Sequence, residues 1–138
     1  MTGEEARRRF SEAMVARLAT SDRSGRPHLV PIVFAVDGDT VVSAVDHKPK
    51  STTSLRRLAN IAENPTVALL VDEYGEDWDR LWWARADGSA RVLAADTVAA
   101  RQAVDLLVAR YPQYQQRRPS GQVLVVDVRR WSGWSASR

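Results

Sequence analysis

The sequence predicts a small antiparallel β-barrel with helices around it, a mainly β fold of the α+β class. Short valine-rich segments alternate in polarity, as half-buried strands do. Asp37-Gly38 and Asp87-Gly88 lie between such segments, and Asp-Gly is a signal for a tight hairpin. The predicted order is helix, three strands, helix, three strands, helix, strand. Strands joined by tight hairpins argue for an antiparallel barrel and against a parallel sheet.

The first half of the chain begins with a helix and continues with strands. Thr2 followed by Glu5 forms a capping box, which predicts a helix over residues 3–12. A turn over residues 21–26, with Gly25 inside it, separates the first two strands, and the Asp-Gly pair joins the second to the third. The predicted strands are residues 15–20, 27–36 and 40–45.

A second helix is predicted over residues 54–64, followed by a strand. Its apolar residues recur at helical spacing on one face, at Leu55, Leu58, Ala59 and Ala62. Pro65 ends this helix, because proline cannot continue it. Residues 66–72 then form an apolar strand, and residues 73–79 an acidic turn.

The last part of the chain is predicted to hold a hairpin, a helix and a final strand. These elements are strands 81–86 and 89–95, a helix over residues 97–111 capped by Asp96, a loop over residues 113–121 and a strand over residues 122–128. The apolar face of the helix carries Ala99, Ala103, Leu106 and Leu107. Trp131 and Trp134 follow in a tail that we expect to be mobile in a monomer, and large apolar rings there suggest docking on a partner subunit.

Composition limits the class of protein. With 138 residues, 44% hydrophobic and 27% charged, the chain has the size and balance of one domain over residues 1–138. No export signal and no membrane-spanning apolar run is visible. The absence of cysteine excludes disulfides and thiolate metal sites, and it fits a cytoplasmic protein. The net charge of +3 does not demand a nucleic acid partner.

The segment over residues 46–54 has the residue types of an anion-binding site. Lys48 and Lys50 lie here, and the other 18 of the 20 basic residues are arginines. Hydroxyl donors follow at Ser51, Thr52 and Thr53. The helix that begins here offers free N–H groups and the positive end of its dipole, and its Arg57 and Asn60 project from one side. The segment predicts a site for a phosphate; an exposed helix start with solvated arginines is the alternative.

Aromatic and histidine side chains are further candidates. Trp82 and Trp83 are adjacent on a predicted strand, so they face opposite sides. The outward ring, which we take to be Trp83, could stack on a planar cofactor or lie in a subunit interface, with core packing as the alternative. His28 is interpreted as structural, whereas His47 adjoins the lysines and could touch a phosphate. The two histidines lack a metal-binding spacing, so we expect no metal site.

The stretch from Val15 to Val92 resembles the split β-barrel, flavin-reductase-like proteins related to pyridoxamine 5′-phosphate oxidase. The motifs that carry the resemblance are Ala16-Arg17-Leu18-Ala19-Thr20, Gly25-Arg26-Pro27-His28, Pro31-Ile32-Val33-Phe34, Lys50 before the helix, and Asn60-Ile61-Ala62-Glu63-Asn64-Pro65-Thr66-Val67-Ala68-Leu69. The chain is most similar to the actinobacterial branch that binds the deazaflavin coenzyme F420. The resemblance covers over half of the chain and implies an FMN-binding-like split barrel.

The resemblance also implies a homodimer with two cofactor sites at the subunit interface. The implied cofactor-binding residues are Lys48, Lys50, Ser51, Thr52, Arg57 and Asn60 on the phosphate side, and Pro31, Val33 and Trp83 beside the ring. This chain departs from the family at Arg57, where lysine is frequent, and at Ala59, where arginine is usual. The implied activity is hydride transfer between reduced F420 and an organic acceptor, in which the cofactor carries the chemistry. No catalytic side chain is assigned, since solvent or His47 could supply a proton.

Three other functions fit the same sequence. The first is an oxidase or reductase of the same fold that uses FMN. The second is a non-catalytic module that sequesters a cofactor or a tetrapyrrole. The third is a nucleic-acid binder with an OB-like barrel, and the scatter of arginines along the whole chain makes it the weakest.

Overall fold

The computed structural model describes residues 1–45 and 52–137, with side chains described for residues 1–45 and 56–137. In chain order the elements are α1 (Gly3–Glu12), β1 (Ala16–Ser21), β2 (Pro27–Ile32), β3 (Ala35–Asp37), β4 (Thr40–Ala44), α2 (Thr52–Glu63), β5 (Thr66–Glu73), a 3₁₀ turn (Trp78–Arg80), β6 (Trp82–Leu93), α3 (Val98–Arg110), α4 (Pro112–Gln116) and β7 (Val123–Ser135). None of the helices in these ranges is long and apolar enough to cross a membrane.

The seven strands form one antiparallel sheet in the order β2-β1-β5-β6-β7-β4-β3. β2 and β3 follow each other in the chain but lie at opposite edges of the sheet. Only Val33 and Phe34 separate them, and the three Cα–Cα steps from Ile32 to Ala35 reach at most about 11 Å. The two edges must therefore approach each other, which curls the sheet into a barrel that is split at this point. This confirms the predicted split antiparallel barrel.

The same corner corrects one predicted element. The segment over residues 27–36 is not one strand, because its first part pairs with β1 and its last part pairs with β4. The alternation of polarity continues through the corner, so the sequence shows no break there. The hairpin that follows is confirmed, with Asp37 opposite Thr40 and Gly38 at a φ of 61°.

The predicted hairpin at Asp87-Gly88 is wrong, because β6 runs through it without turning. β6 pairs with β5 along one side and with β7 along the other. Gly88 lies where the register with β7 shifts, and a Cβ atom added there would overlap the backbone carbonyl of Asp127. The glycine therefore permits the close approach of two strands at a bulge, and it makes no reverse turn.

The predicted mobile tail is also wrong, because β7 continues to Ser135 in register with β6. The ring of Trp131 lies 5.3 Å from that of Phe10, and its Nε1 donates a hydrogen bond to Asp39 at 2.9 Å. Trp131 therefore packs within its own chain. Trp134 lies opposite Trp83 and stays 42% exposed.

The helices confirm the three predicted segments and correct their details. Thr97, and not Asp96, caps α3: its Oγ1 accepts a hydrogen bond from the Ala100 N–H at 3.1 Å. The buried residues of α3 are Ala100, Ala103, Val104 and Leu107, so only part of the predicted face is right; Ala99 and Leu106 are exposed. α4 lies in the predicted loop, and Pro112 begins it, since proline suits the first position of a helix.

The core has two parts, one on each side of the sheet. The barrel interior is closed by α1, whose Ala6 and Phe10 are fully buried against strand residues such as Leu18 and Leu69. The second part lies under α3, where Leu107 packs with Val123 and other strand residues. α2 contacts β1 and β6, and among its described side chains, residues 56–63, Ile61 belongs to these clusters.

Candidate functional site

The helix α2 packs on the β1–β2 hairpin through a polar face. Asn60 is 2% exposed, and its Nδ2 donates a hydrogen bond to Thr20 Oγ1 at 3.0 Å. One turn further on, Asn64 Nδ2 donates to Ser21 Oγ at 2.8 Å, and Glu63 Oε2 accepts from the Arg23 N–H at 2.9 Å. The helix is thus fixed to the hairpin by directional hydrogen bonds and not by apolar burial alone.

The predicted apolar face of α2 is wrong at two of its four residues. Ala59 and Ala62 are exposed and Leu58 is half-buried, while Arg57 and Asn60 face the barrel and are buried. The side chain of Leu55, the fourth residue of that face, lies outside the described ones. Thr20 supplies a hydrogen-bond partner for Asn60, which removes most of the usual cost of burying an amide. Small alanines lose little by staying in solvent, so their spacing on a helix does not by itself decide which side is buried.

A cavity of about 180 Å³ lies between α2 and the β1–β2 turn. Its lining residues are Asp22, Arg26, Pro27, His28, Arg56 and Asn60. The Asp22 carboxylate accepts hydrogen bonds from Ser24 Oγ and from the N–H groups of Ser24 and Arg26. The hydrogen bond from Ser24 Oγ is the main cause that lowers the pKa of Asp22, followed by the one from the Arg26 N–H.

The side of the sheet that points away from the barrel interior carries a second group of candidate residues, which we call the outer sheet face. Arg17 lies opposite Pro31 on one side and opposite Leu70 on the other, and Leu70 lies opposite Arg85. Residues directly opposite each other share a face of the sheet. The outer sheet face therefore includes Leu29, Pro31, Arg17, Leu70, Trp83, Arg85 and Trp134.

The adjacent tryptophans lie on opposite sides of β6, as predicted. Trp82 packs against the barrel interior, where the Arg9 guanidinium lies 5.2 Å from its ring centroid. Trp83 points to the outer sheet face, and the Arg85 guanidinium lies 5.5 Å from its ring centroid. Trp83 and Arg85 line a cavity of about 240 Å³ together with Leu70, Asp72 and Tyr74. The Arg85 Nε also donates to Asp87 Oδ2 at 2.9 Å, so the cavity offers an apolar floor for a flat ring between charged side chains of both signs.

Comparison with known proteins identifies the family. A model of the pyridoxamine 5′-phosphate oxidase family matches residues 2–135. The chain belongs to this family. Among curated proteins, none matches it.

Solved structures show the same fold at low sequence identity. A FAD-binding protein from Mesorhizobium loti superposes with a TM-score of 0.75 at 19% identity, covering 96% of this chain and 92% of that one. The heme storage protein HutZ from Vibrio cholerae superposes with a TM-score of 0.73 at 17% identity, covering 98% of this chain and 95% of that one. A FAD-binding protein from Mycobacterium smegmatis superposes with a TM-score of 0.65 at 18% identity, covering 97% of this chain and 95% of that one. These likenesses extend over nearly the whole chain, as the family match does.

The structure separates the predicted ring side from the predicted phosphate side. Pro31 and Trp83 lie on the same outer sheet face, with β1 and β5 between their strands, about 14 Å apart across the sheet. Val33 is at the barrel corner, where its carbonyl accepts a hydrogen bond from Ser43 Oγ at 2.7 Å and its half-buried side chain packs toward the second core. Arg57 and Asn60 lie on the other side of the sheet, beneath α2.

The remaining predicted phosphate-binding residues fall in or beside the undescribed segment. Lys48, Lys50 and Ser51, with His47, lie outside the described residues. Thr52 begins α2, and its side chain is not among those described. The role of these residues stays a prediction.

Two residues that belong with Trp83 were not singled out from the sequence. They are Arg17, which belongs to one of the family-like motifs, and Arg85. Because side chains alternate along β1, Arg17 points to the other face of the sheet from Leu18, which is buried. That signal gives the side of the strand, but the meeting of Arg17 and Arg85 around Leu70 depends on the pairing of β1, β5 and β6.

Among the residues that the structure describes, no three histidine, aspartate or glutamate side chains gather where they could hold a metal ion.

Proposed function

We propose that this protein is a coenzyme F420-dependent oxidoreductase, which transfers a hydride between reduced F420 and an organic acceptor. The observation that carries the proposal is the outer sheet face, where the Trp83 ring and Leu70 lie among Arg17 and Arg85 on a member of an oxidase family. A flat ring attached to an anionic chain fits an apolar floor with guanidinium groups beside it. The resemblance of the sequence motifs to the F420-binding branch selects this cofactor among flat rings.

The proposed role of the chain is to bind and orient. Trp83 and the backbone around Pro31 would hold the ring flat, and Arg85 would keep the Trp83 ring in place through its cation–π contact. Lys48 and Lys50 would neutralise the phosphate. F420 itself supplies the hydride chemistry when it is bound. We expect no side chain to be indispensable for proton transfer.

A second copy of the chain is the proposed partner across the outer sheet face. Leu29 is 66% exposed and Trp134 is 42% exposed on this face, and both are large apolar side chains. Large apolar side chains exposed on one face of a sheet support an interaction surface there. A homodimer would cover both residues and would place two cofactor sites at the interface. The proposed location of the homodimer is the cytoplasm, consistent with the absence of cysteine.

A flavin is the second candidate cofactor. Two proteins of similar fold, from Mesorhizobium loti and Mycobacterium smegmatis, are FAD-binding proteins. The same outer sheet face would accept the ring of FMN or FAD in an oxidase or reductase. A non-catalytic tetrapyrrole store is a further candidate, which the fold likeness to the heme storage protein from Vibrio cholerae favours.

The test is a binding titration of the purified full chain with F420, FMN, FAD and hemin, followed by absorbance and fluorescence. We expect F420 to bind at least about tenfold more tightly than the others, a difference of about 1.4 kcal/mol. Oxidation of reduced F420 should then follow when an acceptor is added. Tighter binding of FMN or FAD would replace the proposal with the flavin candidate, and tight hemin binding without turnover would favour storage.

Lys50→Ala separates cofactor binding from folding. We expect its affinity for F420 to fall about tenfold, because a charge-assisted contact to phosphate is lost, while the unfolding midpoint stays unchanged. Arg129→Ala, at an exposed position on β7, is the matched control that also removes one positive charge. Equal F420 affinity in the two variants would remove Lys50 from the phosphate site.

A further inference from the structure

We propose that Asp87 is a positioning residue, which acts through Arg85 to fix the donors that meet the polar edge of a flat ligand. The inference rests on the proposed function, since it takes the outer sheet face as the ring site. Asp87 is not among the described residues that line the cavity beside Trp83, whereas Arg85 is. An effect of Asp87 on the ligand must therefore be transmitted by Arg85.

The Arg85 guanidinium is held from two directions. Trp83, Arg85 and Asp87 alternate along β6, so all three side chains point to the outer sheet face. The Arg85 Nε donates to Asp87 Oδ2 at 2.9 Å, and the guanidinium carbon lies 5.5 Å from the Trp83 ring centroid. The ion pair is partly exposed, with about 41% of the Arg85 side chain and 40% of the Asp87 side chain accessible. Such pairs contribute little to stability, so this one matters for the direction of the guanidinium.

The position of Asp87 on its strand favours this bond over a competing one. Asp87 lies opposite Arg130 of β7, immediately before the shift of register at Gly88. A bulge changes the direction of the side chains beside it. Within the described ranges, Asp87 pairs with Arg85 along its own strand and forms no ion pair with Arg130. The carboxylate is thus committed to the residue that lines the cavity.

The bond to Asp87 leaves the useful donors of Arg85 available. Because Asp87 takes the Nε–H, both Nη groups keep their N–H donors, and no hydrogen bond joins them to another part of the chain that the structure describes. Paired N–H donors in one plane match two acceptor atoms that lie side by side. The floor of the cavity beside them is Leu70 and the Trp83 ring. The arrangement fits a flat ring whose edge carries adjacent acceptors, such as a carbonyl oxygen next to a ring nitrogen.

The expected role of Asp87 is to spare the ligand the cost of ordering Arg85. An arginine side chain without a partner samples many rotamers, and fixing one on binding reduces affinity. Asp87→Asn should therefore raise the Kd of the ring ligand about fivefold. Asp127→Asn is the matched control, because Asp127 Oδ2 accepts from Arg91 Nε at 3.0 Å in a similarly exposed pair. Its Kd should stay within about twofold of the wild-type value.

The test titrates F420 and FMN separately into the full chain, followed by absorbance and fluorescence. Asp87→Glu keeps the carboxylate and should recover most of the affinity lost in Asp87→Asn. Arg85→Ala should weaken binding at least as much as Asp87→Asn, and adding Asp87→Asn to it should change nothing further, because the two residues act as one unit. The unfolding midpoints of these variants should match that of the wild type, which separates positioning from loss of fold.

A measurement without ligand gives a second readout. In the ¹⁵N-labelled chain, the indole N–H signal of Trp83, assigned from Trp83→Phe, should shift in Asp87→Asn because the guanidinium leaves the ring. The same signal should stay in place in Asp127→Asn. An unmoved Trp83 signal in Asp87→Asn would show that Asp87 does not hold Arg85 in place.

The outcomes separate this inference from the proposed function. Equal Kd values for Asp87→Asn and Asp127→Asn, or a further loss when Asp87→Asn is added to Arg85→Ala, would overturn the role of Asp87 and leave F420 binding intact. Tighter binding of FMN than of F420 would overturn the proposed cofactor, and a fivefold weaker FMN affinity in Asp87→Asn would still support the positioning role. A wild-type chain that binds neither ring would overturn both.

Discussion

The helices α2 and α3 lie on the same sheet but pack against it in opposite ways. α3 buries a small apolar face that includes Leu107, which is fully enclosed. α2 buries Arg57 and Asn60 and leaves Ala59 and Ala62 exposed. The comparison shows that α3 stabilises the barrel mainly by burial, whereas α2 is placed by directional polar contacts beside a polar cavity.

The last turn of α3 strengthens this contrast. Tyr111 Oη donates to the carbonyl of Phe34 at 2.8 Å or of Met14 at 3.0 Å, and it accepts from the Phe34 N–H at 3.1 Å. The Arg110 guanidinium donates to the Phe34 carbonyl at 2.9 Å and also bonds the carbonyl of Ala13. These bonds fix the corner between β2 and β3, where the barrel is split. The α3 region therefore holds the corner of the barrel together.

The largest expected effect tests the apolar side of the comparison. Leu107→Ala should destabilise the protein by about 3 kcal/mol, because it opens a cavity in a fully buried position. The measurement is urea unfolding, compared with Leu106→Ala, whose side chain is 38% exposed and should cost less than about 1 kcal/mol. Similar losses in the two variants would mean that α3 does not pack by this face.

A smaller effect tests the polar side. Asn60→Ala should cost about 2 kcal/mol, because it leaves the buried Thr20 hydroxyl without its partner. A double-mutant cycle with Thr20→Val should show a coupling of about 1 kcal/mol in urea unfolding. Additive losses in that cycle would show that the Asn60–Thr20 bond does not hold α2 in place.

The smallest expected effect concerns the exposed side of α2. Ala62→Glu should change the free energy of unfolding by less than about 0.5 kcal/mol, because the position is exposed. Ala103→Glu on α3, a buried position, is the matched control and should unfold the protein or destabilise it severely. A large loss of stability for Ala62→Glu would place the predicted apolar face of α2 against the barrel after all.

Some local features could be predicted because they depend on a few neighbouring residues. The start of α1 follows from Thr2, whose Oγ1 accepts the Glu5 N–H at 3.2 Å. The β3–β4 hairpin follows from Gly38, which can adopt a positive φ. The alternation that sends Trp82 and Trp83 to opposite sides of β6 is likewise a property of any extended strand.

Other features were missed because their partners are distant in the sequence. The same Asp-Gly pair turns at Gly38 and runs straight at Gly88, since β5 and β7 pair with both edges of β6 there. The residues around Trp131 form a strand only because β6 supplies hydrogen bonds to them. An extended backbone takes its hydrogen bonds from other segments, so tertiary pairing decides its length.

For the candidate sites, the sequence by itself determined which side chains share a strand or helix face: Arg57 with Asn60, and Trp83 with Arg85. Only the tertiary structure decided which way those faces point. Arg57 and Asn60 turn inward because Thr20, far away in the chain, offers the amide a hydrogen bond. Trp83 turns outward because Trp82 fills the space beneath α1. The period of a helix or strand determines which side chains point the same way. The segment packed against that element determines whether they point into the core or toward solvent.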